Sequence, residues 1–227
     1  MIKVILWDVD GTLLDFKKAE YVAIKKCFEI FNLGECSDEM ISRYSDINRR
    51  YWEKLERKEI TKQEVLVNRF VDFFESEDIA TNCAEEFNKE YQLQLGETIC
   101  FCDNCYEMLK DLKGQVKQYA VTNGTKIAQD RKLQKSGLID IFDGVFISEE
   151  IGCEKPGIEF FEHVWNEIGT YEKEEIIIVG DSLTSDMQGG NNAGITCCWY
   201  NPKHLENNSN LKIDYEIDDL QKILGIL

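Results

Sequence analysis

Proline, histidine and positive charge are all scarce in this 227-residue chain. Prolines occur only at Pro156 and Pro202, so no proline-rich linker divides it, and no internal repeat or low-complexity tract is present. The two histidines, His163 and His204, lie far in sequence from the cysteine group Cys100, Cys102 and Cys105, which therefore lacks the fourth ligand a zinc site needs. Both histidines read as structural or exposed. Lys plus Arg total 26 against 43 Asp plus Glu, a net charge of −17. Such a surface repels polyphosphate chains and anionic lipid, which makes nucleic-acid polymers and membranes poor partners. A small anion binds only where local cations overcome that field. No apolar run approaches membrane-spanning length, and the segment before Asp8 is too short for a secretory leader. The expectation is a cytoplasmic protein with nine reduced thiols, Cys197 and Cys198 among core residues. The glycine fingerprints of P-loop and dinucleotide folds are absent, as is the G-x-S-x-G elbow of serine hydrolases.

What the chain does have is alternation. Apolar runs bounded by Gly, Asp or Asn at 3–9, 116–122, 144–148, 175–180 and 195–200 read as buried parallel strands. Helical stretches at 107–113, 126–137 and 156–169 separate the later ones, the last with Pro156 in its first turn. The pattern predicts an α/β fold with a doubly wound sheet. Between the first two strands, apolar residues recur at helical spacing: Tyr21, Ile24, Phe28, Phe31; Tyr44, Ile47, Tyr51, Leu55; Leu66, Phe70, Phe73; Ala84, Phe87, Tyr91. Thr61 and Glu64 fit a capping box. We expect residues 1–15 and 99–227 to form a core and 16–98 a helical insert, with hinges near Asp15–Lys18 and Gly96–Cys105. An insert leaving right after Asp8 sits over that strand's carboxyl end, where open α/β sheets bind ligands.

The first strand ends in Asp8-Val9-Asp10. Alternation puts both acids on one face if the strand persists that far, and a carboxylate there is costly unless neutralised. Three other strand ends add to the same rim. Thr122-Asn123-Gly124 offers a hydroxyl, backbone amides and a helix start suited to an anion. Lys155 precedes Pro156, and Gly180-Asp181 is followed by Asp186. Unit charges about 4 Å apart at an effective dielectric of about 20 interact by roughly 4 kcal/mol. Four crowded carboxylates therefore call for a cation, and an all-oxygen donor set favours Mg²⁺.

These four stretches, in order and across the whole core, resemble the motifs of the haloacid dehalogenase-like hydrolases. The resemblance implies a Rossmann-like sheet and a first-type helical cap, because 33 positions between Thr122 and Lys155 leave no room for a large second-type cap. It also implies roles. Asp8 would be the nucleophile, and Asp10 would protonate the leaving group and then activate water, its backbone carbonyl meeting the metal. Thr122, Asn123, Gly124 and Lys155 would hold the phosphoryl oxygens. Asp8, Asp10 and Asp181 would bind Mg²⁺, with Asp186 one layer behind. A carboxylate suits the nucleophile's part because it is already ionised at neutral pH. Members that cleave carbon–halogen or carbon–phosphorus bonds lack an acid at the Asp10 position, so the chain reads as a phosphatase working through an aspartyl-phosphate.

Within the insert, Asn48, Tyr51, Trp52, Glu59-Ile60-Thr61 and Arg69-Phe70 resemble the pyrimidine 5′-nucleotidase subgroup, as do 147–152 and 186–194. The implied substrate is a small phosphorylated metabolite, a nucleoside monophosphate. Trp52 or Tyr51 is placed to stack a base, Asn48 to bond its edge, and Arg69 to pair with phosphate or with surface acids. One departure is Asp103-Asn104-Cys105, where the family commonly has Pro-Gly at the second hinge; it implies a softer hinge. A phosphatase of phosphoglycolate or a sugar phosphate is the nearest alternative. A phospho-accepting signalling module is the more distant one.

Overall fold

Val4, Ile5, Leu6 and Trp7 are all wholly buried. A strand with no exposed face needs neighbours on both edges and cover on both sides. The computed structural model, which describes residues 1–227, supplies both. Strand β1 (Val4–Trp7) is followed by helices α1 (Phe16–Ile30), α2 (Asp38–Glu56), α3 (Lys62–Ser76) and α4 (Ala84–Leu95). Then come α5 (Tyr106–Leu112), β2 (Lys117–Thr122), α6 (Lys126–Ser136), β3 (Gly144–Ile147), α7 (Ser148–Ile151) and α8 (Ile158–Ile168). Strand β4 (Ile176–Gly180), a π-helical turn (Leu183–Met187), α9 (Gln188–Ala193), β5 (Thr196–Tyr200) and β6 (Tyr215–Ile217) complete the chain order. All six strands are parallel, in the order β3-β2-β1-β4-β5-β6. Leu6 lies beside Tyr119 on one edge and Ile178 on the other.

The chain steps outward from β1 in one direction, then returns and continues from β4 in the other. The connections diverge at β1 and β4, and a crevice opens beyond their carboxyl ends. Side-chain alternation fills both faces. Ile5, Trp7, Ile177 and Val179 pack with Met108, Leu109 and Leu133 of α5 and α6. Val4, Leu6, Ile176 and Ile178 pack with Phe160, Phe161 and Val164 of α8. The insert α1–α4 has its own core, in which Phe28, Tyr44, Phe70, Phe73, Phe74, Phe87 and Tyr91 interlock.

The local signals explain most boundaries. Asp15, Ser37 and Thr61 each cap the helix after them with a side-chain oxygen, and Thr61 and Glu64 form the full reciprocal box. The two crossings of the insert run side by side: Asp15 N bonds Cys100 O at 2.8 Å and Cys102 N bonds Leu13 O at 3.0 Å.

Four details differ from the sequence reading. Strand β1 ends at Trp7, so Asp10 leaves the strand and shares no face with Asp8. Pro156 lies outside α8, which is capped by Gly157; Asn123 instead holds the backbone of Lys155 just before it. Tyr21 turns outward to Asp38 rather than joining the insert's core. Where a softer second hinge was expected, the crossing is tied to the sheet's far end. Asp103 and Asn104 adopt the left-handed backbone that glycine would offer, and the Asp103 carboxylate accepts from Tyr200 Oη and Leu220 N at 2.8 and 2.9 Å.

Candidate active site

The carboxylate of Asp8 emerges where β1 stops, and protein groups hold both of its oxygens. Oδ1 accepts from Lys155 Nζ at 2.9 Å and Oδ2 from the Thr12 hydroxyl at 2.9 Å. Lys155 is fully enclosed and spends its other donors on Asp186 Oδ1 and Val121 O, each at 2.7 Å. Asp186 in turn accepts from Ser182 N at 3.1 Å through its second oxygen. One ammonium thus ties β1, β2 and the turn after β4 together. Asn123 fixes that lysine from behind: its side chain bonds both the backbone N–H and C=O of Lys155, at 2.9 and 2.7 Å.

The charges do not balance. Burial, followed by the field of Asp186, pushes the Asp8 carboxyl up to about 7 against the pull of Lys155. Asp181 faces the open cavity but is hemmed in by protein atoms behind. That enclosure, with Asp8 and Asp186 nearby, raises its carboxyl well above the ordinary range. Burial alone would lower Lys155, but Asp186 and Asp8 outweigh it and keep the ammonium charged.

This set fits a divalent cation. Oxygens of Asp8, Asp181 and Asp186 lie within 4.8 Å of one another. Lys155 pairs with Asp8 and Asp186 but not with Asp181, whose carboxylate is left without a cation. All the donors are hard oxygens. Gly11 permits the crowding: its φ is +96°, and a Cβ there would lie 2.6 Å from Asp181 Oδ2. At Gly180 a Cβ would run into the Asp186 carboxylate.

Asp10 stands apart. Its carboxylate is held by α6, where Gln129 Nε2 donates at 2.6 Å and Lys132 Nζ forms a close ion pair. Sequence reasoning named neither residue. The available signal was their three-residue spacing on the helix that begins right after Thr122-Asn123-Gly124, which turns both toward the rim. Thr122 Oγ1 accepts from Gly124 N at 3.0 Å, so the loop after β2 is already curled around the point where an anion's oxygens would sit.

The cavity between rim and insert is lined by Asp8, Asp10, Thr122, Asn123, Gly124, Lys155, Asp181 and Asp186 from below. From above it is lined by Phe16, Trp52, Glu56, Arg69, Gln92 and Leu95. Asn48 is not part of the lining. It stands behind, donating to Glu20 at 2.9 Å and accepting from Trp52 Nε1 and Arg69 Nη1 at 3.0 and 2.7 Å. Arg69 meets amide oxygens rather than surface acids, with Asn88 Oδ1 at 2.9 Å as its second partner. Its guanidinium lies against Phe70 and Tyr91, 4.9 and 5.2 Å from their ring centres, and its Nε has no partner. From Asn88 the network continues through Gln92 to the Thr125 hydroxyl at the start of α6, joining insert to core. Tyr51 turns away and bonds Asp72.

No helix is long and apolar enough to cross a membrane. A profile of the family described as haloacid dehalogenase-like hydrolase matches residues 5–200. The pyrimidine 5′-nucleotidase PynA of Streptococcus pneumoniae is 37% identical across 99% of this chain and 94% of its own length. The pyrimidine 5′-nucleotidase YjjG of Escherichia coli is 25% identical across 98% and 96%. Among solved structures, the HAD-hydrolase YfnB of Bacillus subtilis, bound to magnesium and showing interdomain movement, superposes with a TM-score of 0.93. It is 33% identical and covers 100% of this chain and 98% of that one.

Proposed function

This chain belongs to the haloacid dehalogenase-like hydrolases, and from that premise we propose that it is a magnesium-dependent phosphomonoesterase acting on pyrimidine nucleoside 5′-monophosphates. One observation carries the chemistry: a fixed carboxylate, Asp8, shares a cavity with a second acid, Asp10, that has its own separate partners. Residues 1–15 and 99–227 act as the catalytic core in this reading, and 16–98 as the cap over it.

Asp8, Asp181 and the backbone carbonyl of Asp10 would hold Mg²⁺, with Asp186 steadying Lys155 behind them. When bound, the ion supplies positive charge against the mutual repulsion of phosphate and nucleophile. The protein's own groups do the rest. Thr122 Oγ and the Asn123 amide hold the non-bridging phosphoryl oxygens, joined by Lys155 Nζ as it gives up its bond to Asp8 and by the Gly124 amide as it gives up its bond to Thr122. An oxygen of Asp8 attacks phosphorus and the ester P–O bond breaks. The departing oxygen takes a proton from the Asp10 carboxyl. Asp10, now ionised, accepts a proton from water as that water attacks the aspartyl-phosphate. The bond to Asp8 breaks, and inorganic phosphate and the free carboxylate are regenerated. A halide leaves without a proton and has no use for Asp10, which favours ester hydrolysis over dehalogenation.

On the cap side, Trp52 is the stacking surface. Its indole N–H is committed to Asn48, which fixes the ring where it lines the cavity. Arg69 Nε, a buried donor without a partner, suits a carbonyl oxygen of the base. Asn48 orients both and touches neither base nor phosphate. Full-length likeness to two proteins named pyrimidine 5′-nucleotidase supports the same substrate class. A panel of nucleoside monophosphates, phosphoglycolate and sugar phosphates, assayed with Mg²⁺, tests it. UMP, dUMP and dTMP should lead in kcat/KM by at least about tenfold, the scale on which a few fitted contacts discriminate. A sugar phosphate or phosphoglycolate in the lead contradicts the substrate assignment and leaves the phosphatase chemistry standing.

A further inference from the structure

Glu56 is the last residue of α2 and lines the cavity from the cap side. Its position costs the fold in three ways. A carboxylate loses hydration on enclosure. A negative charge at a helix C-terminus opposes the helix dipole. Asp186 faces it with like charge. Only the Thr184 hydroxyl and the field of Lys155, an ammonium already paired with Asp8 and Asp186, ease these costs. Oε2 itself is buried with no hydrogen-bond partner. Cations stand close in sequence but are spent elsewhere: Arg57 on Glu59, Lys58 on Glu159 and Arg49 on Glu53. Violations of local rules without compensation gather at functional sites.

The cavity's contents narrow what the carboxylate meets. A phosphate held by Thr122 and Lys155 offers only acceptors, which Glu56 repels. The carbonyl oxygens of a pyrimidine are acceptors too, and its donors, the N3–H of uracil or the 4-amino group of cytosine, lie on the ring edge away from the sugar. Between phosphate and base lies a sugar, whose hydroxyl groups are donors. Glu56 borders the same turn as Ser182, Ser185 and Asp186, close to the rim where the phosphate binds, so it reaches the sugar before the far edge of a base. We infer that Glu56 is a specificity residue that accepts a hydrogen bond from a sugar hydroxyl of the bound phosphate ester. The choice of a nucleotide sugar rests on the nucleotidase reading; the recognition of a hydroxyl does not.

The test is a cycle of substrate and protein. The ratio kcat/KM is measured with Mg²⁺ for wild type, Glu56→Ala and Glu56→Gln on UMP, dUMP and 2′,3′-dideoxyuridine monophosphate. In wild type, deleting one of the two hydroxyls should cost about tenfold or more, the worth of a hydrogen bond to a charged group. In Glu56→Ala the same deletion should cost less than about twofold, because the partner is gone. Glu56→Gln, which keeps one acceptor oxygen and the side chain's shape, should fall between and serves as the folded control. Equal costs in wild type and both variants, or no cost in wild type, overturn the inference. So does a Glu56→Ala variant that instead loses discrimination between UMP and CMP, since that places the carboxylate at the base. Should wild type prefer a sugar phosphate to every nucleotide, the nucleotidase reading fails. The same cycle on ribose 5-phosphate and 2-deoxyribose 5-phosphate then still decides the role of Glu56.

Discussion

Asp8 and Asp10 are two positions apart, yet different elements hold them. The first is gripped by Lys155 and Thr12, the second by Gln129 and Lys132 of α6. Separate anchorage keeps the two carboxylates from sharing one cation, and in the proposed mechanism it lets one attack while the other handles protons. It also assigns Lys132 a task. The side chain is buried, pairs only with Asp10, and packs over the Phe16 ring. Lys132→Met should therefore lower kcat by roughly one to two orders of magnitude, up to the lower end of what a general acid–base group itself contributes. Lys132→Arg should restore part of that loss. Steady-state kinetics with Mg²⁺ check this, and an unchanged kcat in Lys132→Met would show that Asp10 works without its clamp.

Among the elements, α1–α4 were legible because their apolar residues repeat with the helix and their caps are explicit. Phe70 shows what that periodicity encodes. It is fully buried and meets Tyr44, Phe87 and Tyr91 at ring-centre distances of 5.1, 5.0 and 5.2 Å. Phe70→Ala should destabilise the protein by about 3–5 kcal/mol, the usual cost of emptying such a site, and denaturant unfolding measures it. A change below about 1 kcal/mol would mean the insert repacks freely. Other elements hid from the sequence for physical reasons. Strand β6 is three residues long, with two of them exposed at the sheet edge, and carries no apolar run. On α6 the helix was readable but its business face was not. Gln129 and Lys132 are polar residues in buried positions, which periodicity assigns to solvent. The end of β1 misled in the opposite sense: the apolar run set the strand at 3–9, with Asp10 on Asp8's face only if the strand continued, whereas it stops at Trp7 and Gly11 at positive φ and the Asp10–Leu14 bridge turn the chain away.

In a chain of net charge −17, Lys155, Lys132 and Arg69 all line one cavity; in the proposed function these cations, together with the bound Mg²⁺, offset the site's carboxylates and let a phosphate enter that cavity. Cap and core are latched around it by Lys62, which bonds Ser148 Oγ at 2.6 Å and Glu154 at 3.6 Å, and by Thr125 with Gln92. The rim was legible because β1, β2 and β4 each run into a short motif, while Lys155 arrives from the loop between α7 and α8. The cap's contribution was less so, since Glu56 and Gln92 reach the cavity only through the packing of insert on core. Asn48, chosen from its company in the sequence, proved to stand behind Trp52 and Arg69. The account as a whole requires that the phosphoryl group pass through Asp8. Wild-type enzyme turning over UMP with Mg²⁺ is quenched in acid, reduced with borohydride, which converts an acyl phosphate to an alcohol, and mapped by peptide mass spectrometry. Reduction is expected at position 8, and is expected to be absent from Asp8→Asn and from enzyme treated with chelator. Steady turnover with no acyl phosphate there, or with the group on another side chain, would contradict it.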